Sequence, residues 1–335
     1  VILHPGVLAL LGGSAVALAL LVAACIVGVQ VLRRWDFSSS SASQLALERR
    51  TFLVSSLASV ALVIEIASSL LFLYTVDDLH RLFVGAMCAT GSLNASPVGW
   101  WVLPVKLLIL LAAPVWIALN GLDLRAGDFP VIRAKYGALL VLAPLVAADL
   151  VLQARYFLGL DPEVITSCCG SLFSSAGSGV SSDLAGLPVF PTMAGFYACA
   201  LAFVAAMTAC RLRPAAVTRI VTAALALVFL AVALAAMVSF LSLYIYELPT
   251  HHCPFDVLQL QYRAIGYPLY ASLFTAVVLG LLPAVALAFR RRPSFAAAAD
   301  RAERRWLEAG LAATILFVGF ASFPVVFGSF TMRGY

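Results

Sequence analysis

Eight stretches of about 20 or more predominantly apolar residues divide this 335-residue chain, and each is long enough to cross a bilayer. Backbone in hydrocarbon must satisfy its own hydrogen bonds, so such runs fold as helices. The spans fall at roughly 6–32, 51–74, 100–119, 137–156, 188–210, 216–245, 264–289 and 307–330. The expected fold is therefore all-α: a polytopic bundle of eight transmembrane helices forming a single integral membrane domain over residues 1–335. Composition agrees, with 63% hydrophobic and 11% charged residues, where soluble domains carry about 25% charged. The longest segment between spans is about 30 residues, too short to bury a core of its own.

Orientation follows from the basic residues, which collect in cytoplasmic loops. Arg33, Arg34, Arg49 and Arg50 follow span 1, and Arg125, Arg133 and Lys135 follow span 3. Arg211, Arg213 and Arg219 flank the loop after span 5, and six arginines from Arg290 to Arg305 follow span 7. These alternate loops hold 16 of the 21 basic residues, so both termini are expected on the extracytoplasmic side. Tyr and Trp residues such as Trp100, Trp101, Tyr156 and Tyr262 mark the outer boundary, where amphipathic rings prefer to sit. Span 1 lacks a basic leader and is followed by Arg33 and Arg34, so it reads as a true span rather than a cleaved signal. Arginine outnumbers lysine 19 to 2, a bias that points to a GC-rich bacterial genome and hence to a bacterial inner membrane. The net charge of +5 sits in short clusters at helix ends, which argues against nucleic acid as a partner. No Walker A sequence, dinucleotide fingerprint or metalloprotease motif is present, so the chain itself binds no ATP.

On this map all four histidines, and every cysteine outside a span, lie at the outer face. The loop 75–99 carries Asp77, Asp78, His80 and Cys88, with a short helix expected over 76–88. The Gly/Ser-rich loop 157–187 carries the adjacent pair Cys168 and Cys169. The loop 246–261 carries Glu247, His251, His252, Cys253 and Asp256. The periplasm permits disulfides, so the plainest account is two structural bonds stapling the loops into a cap. Four cysteines allow three connectivities. A bond between neighbours is strained, which favours joining Cys88 and Cys253 each to one member of the 168/169 pair.

A sharper account is thiol–disulfide exchange. A strained vicinal disulfide is labile, and an imidazolium at His251 or His252 beside Cys253 would favour thiolate. A third account is a soft metal ion held by His251, His252, Cys253 and Asp256, since imidazole and thiolate suit zinc or copper. Adjacent ligands rarely reach one ion, and no standard zinc spacing is matched.

Cys253-Pro254-Phe255-Asp256 resembles a redox C-x-x-C whose second cysteine is replaced. The segment from Cys88 to Gly99, with Leu93-Asn94-Ala95-Ser96-Pro97, is similar to the cysteine loop of vitamin K epoxide reductase-type membrane oxidoreductases. The resemblance covers about 30 residues. It implies electron transfer between quinone and thiols at the outer face, with roles for Cys88 and Cys253. The chain departs from that family in having eight spans rather than a four-helix unit. Asp256 also stands where the second redox cysteine belongs, so Cys168 or Cys169 would have to supply it.

Three ionisable residues fall inside spans: Glu65, Lys106 and Asp149. Such groups are costly unless paired and face the bundle interior. Spans 2 and 3 form a hairpin, which predicts a Glu65–Lys106 ion pair. The three together are expected to line a polar membrane pocket that could take a quinone headgroup. The functional expectation is thiol or quinone-linked electron transfer, with Cys88, Cys168, Cys169 and Cys253 as redox groups tuned by His252. The rivals are a non-enzymatic subunit of a larger membrane complex with structural disulfides, and soft-metal handling. Candidate partners beyond the bilayer are a periplasmic redox protein or other membrane subunits.

Overall fold

The computed structural model describes residues 1–37, 39, 41–161, 163–166 and 180–332. Every regular element among them is helical. Among the described residues, eight helices are long and apolar enough to cross a membrane: α1 (Pro5–Arg34), α2 (Ala42–Asp78), α3 (Gly99–Ala126), α4 (Ile132–Leu158), α5 (Val189–Leu212), α6 (Ala216–Tyr246), α7 (Gly266–Leu287) and α8 (Pro293–Phe327). The protein is a multi-pass membrane helix bundle. Large apolar side chains such as Ile26, Leu53, Val141, Leu201 and Phe323 stay more than half exposed, as helices bathed in acyl chains require.

Each predicted span falls on one helix, and several helices overrun their span, α2 and α8 by the most. α2 begins at Ala42, within the Ser-rich segment. α8 begins at Pro293 and takes in the Ala-rich charged stretch before its apolar run. Hydropathy delimits only the membrane part; Ala, Glu, Arg and Gln are good helix formers and continue the helix into water. The short helix expected over 76–88 is instead the last turn of α2, a 3-10 turn at Leu79–Leu82 and a separate helix at Ala89–Asn94. Pro191 and Pro268 sit in the first turns of α5 and α7, where proline is tolerated without a kink.

The chain divides into two compact units. The first comprises Val1–Thr75, Ser96–Asp161 and Phe289–Asp300; the second comprises Val76–Ala95, Pro162–Ala288 and Arg301–Tyr335.

The first unit is built from α1 to α4 on small residues that let helices approach closely. Ala17, Ala24, Ala58, Ala61, Ala113 and Ala143 pack with Leu21, Leu62, Ile109, Trp116, Tyr136 and Val146. Polar groups in this interior are paired across helices. Ser55 and Tyr136 hydroxyls meet at 3.0 Å. Lys135 Nζ lies 2.7 Å from Asp123 Oδ2 and donates to Asn120 Oδ1 at 3.0 Å.

The second unit has an aromatic core. Phe229 touches Phe196, Phe203 and Phe317 with ring centroids 5.2–6.3 Å apart. Gly280 faces the Phe203 ring so closely that a Cβ there would come within 2.8 Å. Arg219 Nε and Glu303 Oε1 form a buried pair at 2.9 Å. α6 carries a π turn at Met237–Leu241, a local widening common at functional sites. It ends in a left-handed residue, Glu247, which turns the chain into the cysteine loop. The facing loop is held by Gly85, at φ +86°, whose Cα approaches the Thr166 carbonyl so closely that a side chain would collide with it. Thr166 N also donates to Val84 O at 3.0 Å.

Candidate functional site

Two loops of the second unit, 76–95 and 246–262, bring together residues 165 positions apart. Cys88 Sγ lies 3.5 Å from Cys253 Sγ, and both residues are fully buried. Around Cys253 the local chain supplies two further polar contacts and the facing loop a third. Asp256 Oδ1 lies 3.4 Å from its sulfur, the Phe255 N–H donates to that sulfur at 3.4 Å, and Thr90 Oγ1 stands at 3.5 Å. Pro254 cannot donate a backbone N–H, and the 3-10 turn at Asp256–Leu258 that follows folds the Asp256 carboxylate back onto the sulfur.

The frame around the pair is hydrogen-bonded on both sides. Tyr246 OH donates to Cys253 O at 2.5 Å and Tyr270 OH to Pro254 O at 2.7 Å. Gln259 spans the loops, its amide donating to Met87 O at 2.9 Å and to Asp77 Oδ1 at 3.3 Å. Asp77 in turn accepts from Ala89 N at 3.1 Å, which fixes the residue next to Cys88.

Each disulfide expected to staple these loops takes Cys168 or Cys169 as one partner. Cys88 and Cys253 face one another with their sulfurs 3.5 Å apart, well over the bond length of about 2.05 Å, so the two are not bonded to each other. Cys168 and Cys169 lie outside the described residues.

The histidines take other roles than those expected. His251 Nε2 lies 2.5 Å from Asp256 Oδ2, and its ring packs edge-on to Tyr246 at 4.7 Å. His252 Nδ1 lies 2.8 Å from Val238 O, a carbonyl within the π turn. Both rings are thus committed to oxygen partners. Of the four residues proposed from sequence as metal ligands, Cys253 and Asp256 share a site. Their third companion is Cys88 instead of a histidine. Cys88, Cys253 and Asp256 are all buried and offer ligand atoms within 4.8 Å of one another. Tetrahedral coordination with metal–sulfur bonds of about 2.3 Å spaces neighbouring donors by roughly 3.5–3.8 Å, so this donor set fits a soft metal.

Burial holds the His252 imidazole below its ordinary pKa, only partly offset by bonds to the Val238 and Ser239 carbonyls. The unfolded chain takes up a proton below about pH 6.5, while the folded ring stays neutral. Stability from this residue is therefore complete above about pH 6.5 and falls as pH drops towards the folded value. The loss is at most about 1.4 kcal/mol per pH unit. Chemical unfolding in detergent over a pH series should show that decline, and His252→Gln should flatten it.

The intramembrane triad lies in the first unit. Lys106 Nζ pairs with Asp149 Oδ2 at 3.0 Å rather than with Glu65, and donates to Ser68 Oγ at 3.2 Å. Gln153 Nε2 also donates to Asp149 Oδ2. Ser68 shares a 3.3 Å hydroxyl contact with Ser14. The Lys106 ammonium lies 5.1 Å from the centre of the Phe72 ring. Glu65 is fully buried, and neither of its oxygens has a hydrogen-bond partner among the described residues.

Several site residues escaped sequence reading. Gln153 had a signal, since it is one helical turn from Asp149 and shares its face. Thr90, Tyr246 and Gln259 had none, because only the loop closure gives them meaning. The chain matches no protein-family model, no curated protein and no solved structure.

Proposed function

We propose that the protein is a bacterial inner-membrane thiol–disulfide oxidoreductase whose two-electron centre is Cys88 with Cys253, at the extracytoplasmic face. The observation that carries this reading is the 3.5 Å separation of the two buried sulfurs, one from each loop. Closing that gap by about 1.5 Å makes a disulfide. The pair supplies the second cysteine that the Cys253-Pro254-Phe255-Asp256 segment lacks. The basic loops, with 16 of 21 Lys and Arg residues, support the placement of the cysteine loops outside.

In the oxidising direction a substrate thiolate attacks one sulfur of the Cys88–Cys253 disulfide. A mixed disulfide forms, and the other sulfur leaves as thiolate and takes a proton. A second substrate thiol then resolves the mixed disulfide, leaving a substrate disulfide and the Cys88/Cys253 dithiol. Reoxidation passes two electrons and two protons to a membrane quinone, giving the hydroquinone and the protein disulfide. Asp256 stands at the right atom for the proton on Cys253, and His251 receives it next. Both sulfurs are buried, so exchange requires one of the loops to open.

A second reading is favoured by the third donor. The Asp256 carboxylate completes a compact two-sulfur, one-oxygen set suited to a soft metal ion.

Trapping with an alkylating agent in intact membranes, followed by mass spectrometry, separates these readings. A Cys88–Cys253 disulfide that gives way to labelled thiols under mild reductant and returns with quinone is the expected result. Labelling of both cysteines only after chelation would replace the redox reading with the metal one. A pair that never changes state under either treatment would overturn both.

A further inference from the structure

We propose that Glu65 is a proton-binding residue inside the membrane, carrying a proton at neutral pH beside the Lys106–Asp149 ion pair. The proposal is independent of the thiol chemistry.

Charge is the first argument. Glu65, Lys106 and Asp149 are 0%, 4% and 0% exposed. Two carboxylates face one ammonium, so the fully ionised cluster carries one uncompensated negative charge. Glu65 sits close enough to feel the charges of both partners. The lysine is committed to Asp149 and Ser68.

Hydrogen bonding is the second argument, and it is independent of charge. Both Glu65 oxygens, Asp149 Oδ1 and Gln153 Oε1 are buried acceptors that no donor among the described residues reaches at full hydrogen-bond geometry, although the Ser14 hydroxyl of α1 faces Glu65. Gln153 is uncharged, so its orphaned oxygen does not follow from the surplus of carboxylates. Donors are what this part of the unit lacks. A proton on Glu65 supplies one and removes the surplus charge at the same time. A metal cation would meet the Lys106 ammonium at close range, whereas a neutral carboxyl adds no charge beside it.

The other buried pair of the same unit shows the contrast. Asp123 faces Lys135 one to one at 2.7 Å, with Val131 N donating to Asp123 at 2.9 Å. That pair is charge-balanced and fits a purely structural role. An unpaired carboxylate in the membrane interior costs several kcal/mol and takes a proton instead. Lys106 lies about 10 Å along α3 from its start at Gly99. Glu65 and Asp149 give this depth two carboxyl groups that can hold one proton in turn, which is the minimum for a proton step within the bilayer.

Infrared spectroscopy of the full-length protein in lipid nanodiscs tests the assignment. The wild type at neutral pH should show a protonated-carboxyl C=O band that shifts in deuterium oxide. That band should be lost in Glu65→Gln, a neutral isostere of the protonated acid. It should move on carbon-13 labelling of glutamate and not of aspartate, a readout on the wild type that survives any failure of the variant to fold. Absence of the band, or its persistence in a folded Glu65→Gln, would overturn the proposal. A shift on aspartate labelling would place the proton on Asp149 and equally overturn it. Loss of the band on adding sodium chloride at constant pH would make the bound ion sodium, which also contradicts it.

Discussion

Replacing Lys106 by methionine should destabilise the α1–α4 unit by about 3–5 kcal/mol, the largest stability change expected of a single substitution in this protein. The ammonium is the cationic partner of two buried carboxyl groups, at 3.0 Å from Asp149. Methionine keeps the length of the stem but leaves Asp149 as an anion in a medium that cannot solvate it. Breaking a buried pair in this way is costly, while replacing both partners is often close to neutral. Adding Asp149→Asn should therefore recover most of the loss, and the pair of substitutions should be strongly non-additive. Asp149 has one escape, which is to take a proton. That escape is harder at high pH, so the penalty of Lys106→Met alone should grow as pH rises. Denaturant titration followed by fluorescence of Trp116, which is buried in the same unit, reads the effect. A loss below about 1 kcal/mol, the range of exposed pairs, would show that the ion pair does not hold these helices together.

That pairing also marks how far the sequence could be read. The eight spans were legible because hydrophobic length is a property of each segment alone. Helix ends were less so, since α2 and α8 continue past the apolar run on helix-forming residues that hydropathy does not count. Which charged groups meet depends on how each helix is rotated against its neighbours. Adjacency in a hairpin suggested Glu65 with Lys106. Packing of α3 against α4 instead aims the lysine at Asp149, which also accepts from Gln153. The same limit applies to the loops. His251, His252 and Cys253 are neighbours in the chain, yet their side chains diverge to Asp256, Val238 and Cys88. The residue that joins Cys253 comes from a loop 165 positions away, and spacing within one loop carries no information about it.

Serine at Cys253 should abolish thiol turnover altogether, and serine at Cys88 should do the same. The two sulfurs form one two-electron centre, so neither can complete the exchange alone. A mixed disulfide formed on a lone cysteine has no partner to resolve it from within. The double variant should then be no worse than either single one, the signature of residues acting as a unit. Each single variant should instead accumulate as a mixed disulfide with a small thiol probe when the loops open, since one nucleophile remains. Asp256→Asn makes a different prediction. It keeps the shape beside Cys253 and both sulfurs, but replaces the carboxylate that faces the thiol at 3.4 Å by a neutral amide that cannot take its proton. The rate should fall by about 10²-fold or more, the usual worth of a positioned proton acceptor, with the disulfide still able to form. If serine at Cys88 leaves turnover intact while serine at Cys253 does not, the working partner of Cys253 is another cysteine and the pair described here is not the centre. If both serine variants keep turnover but lose a bound metal, the same two sulfurs serve as ligands and the carboxylate of Asp256 is the third.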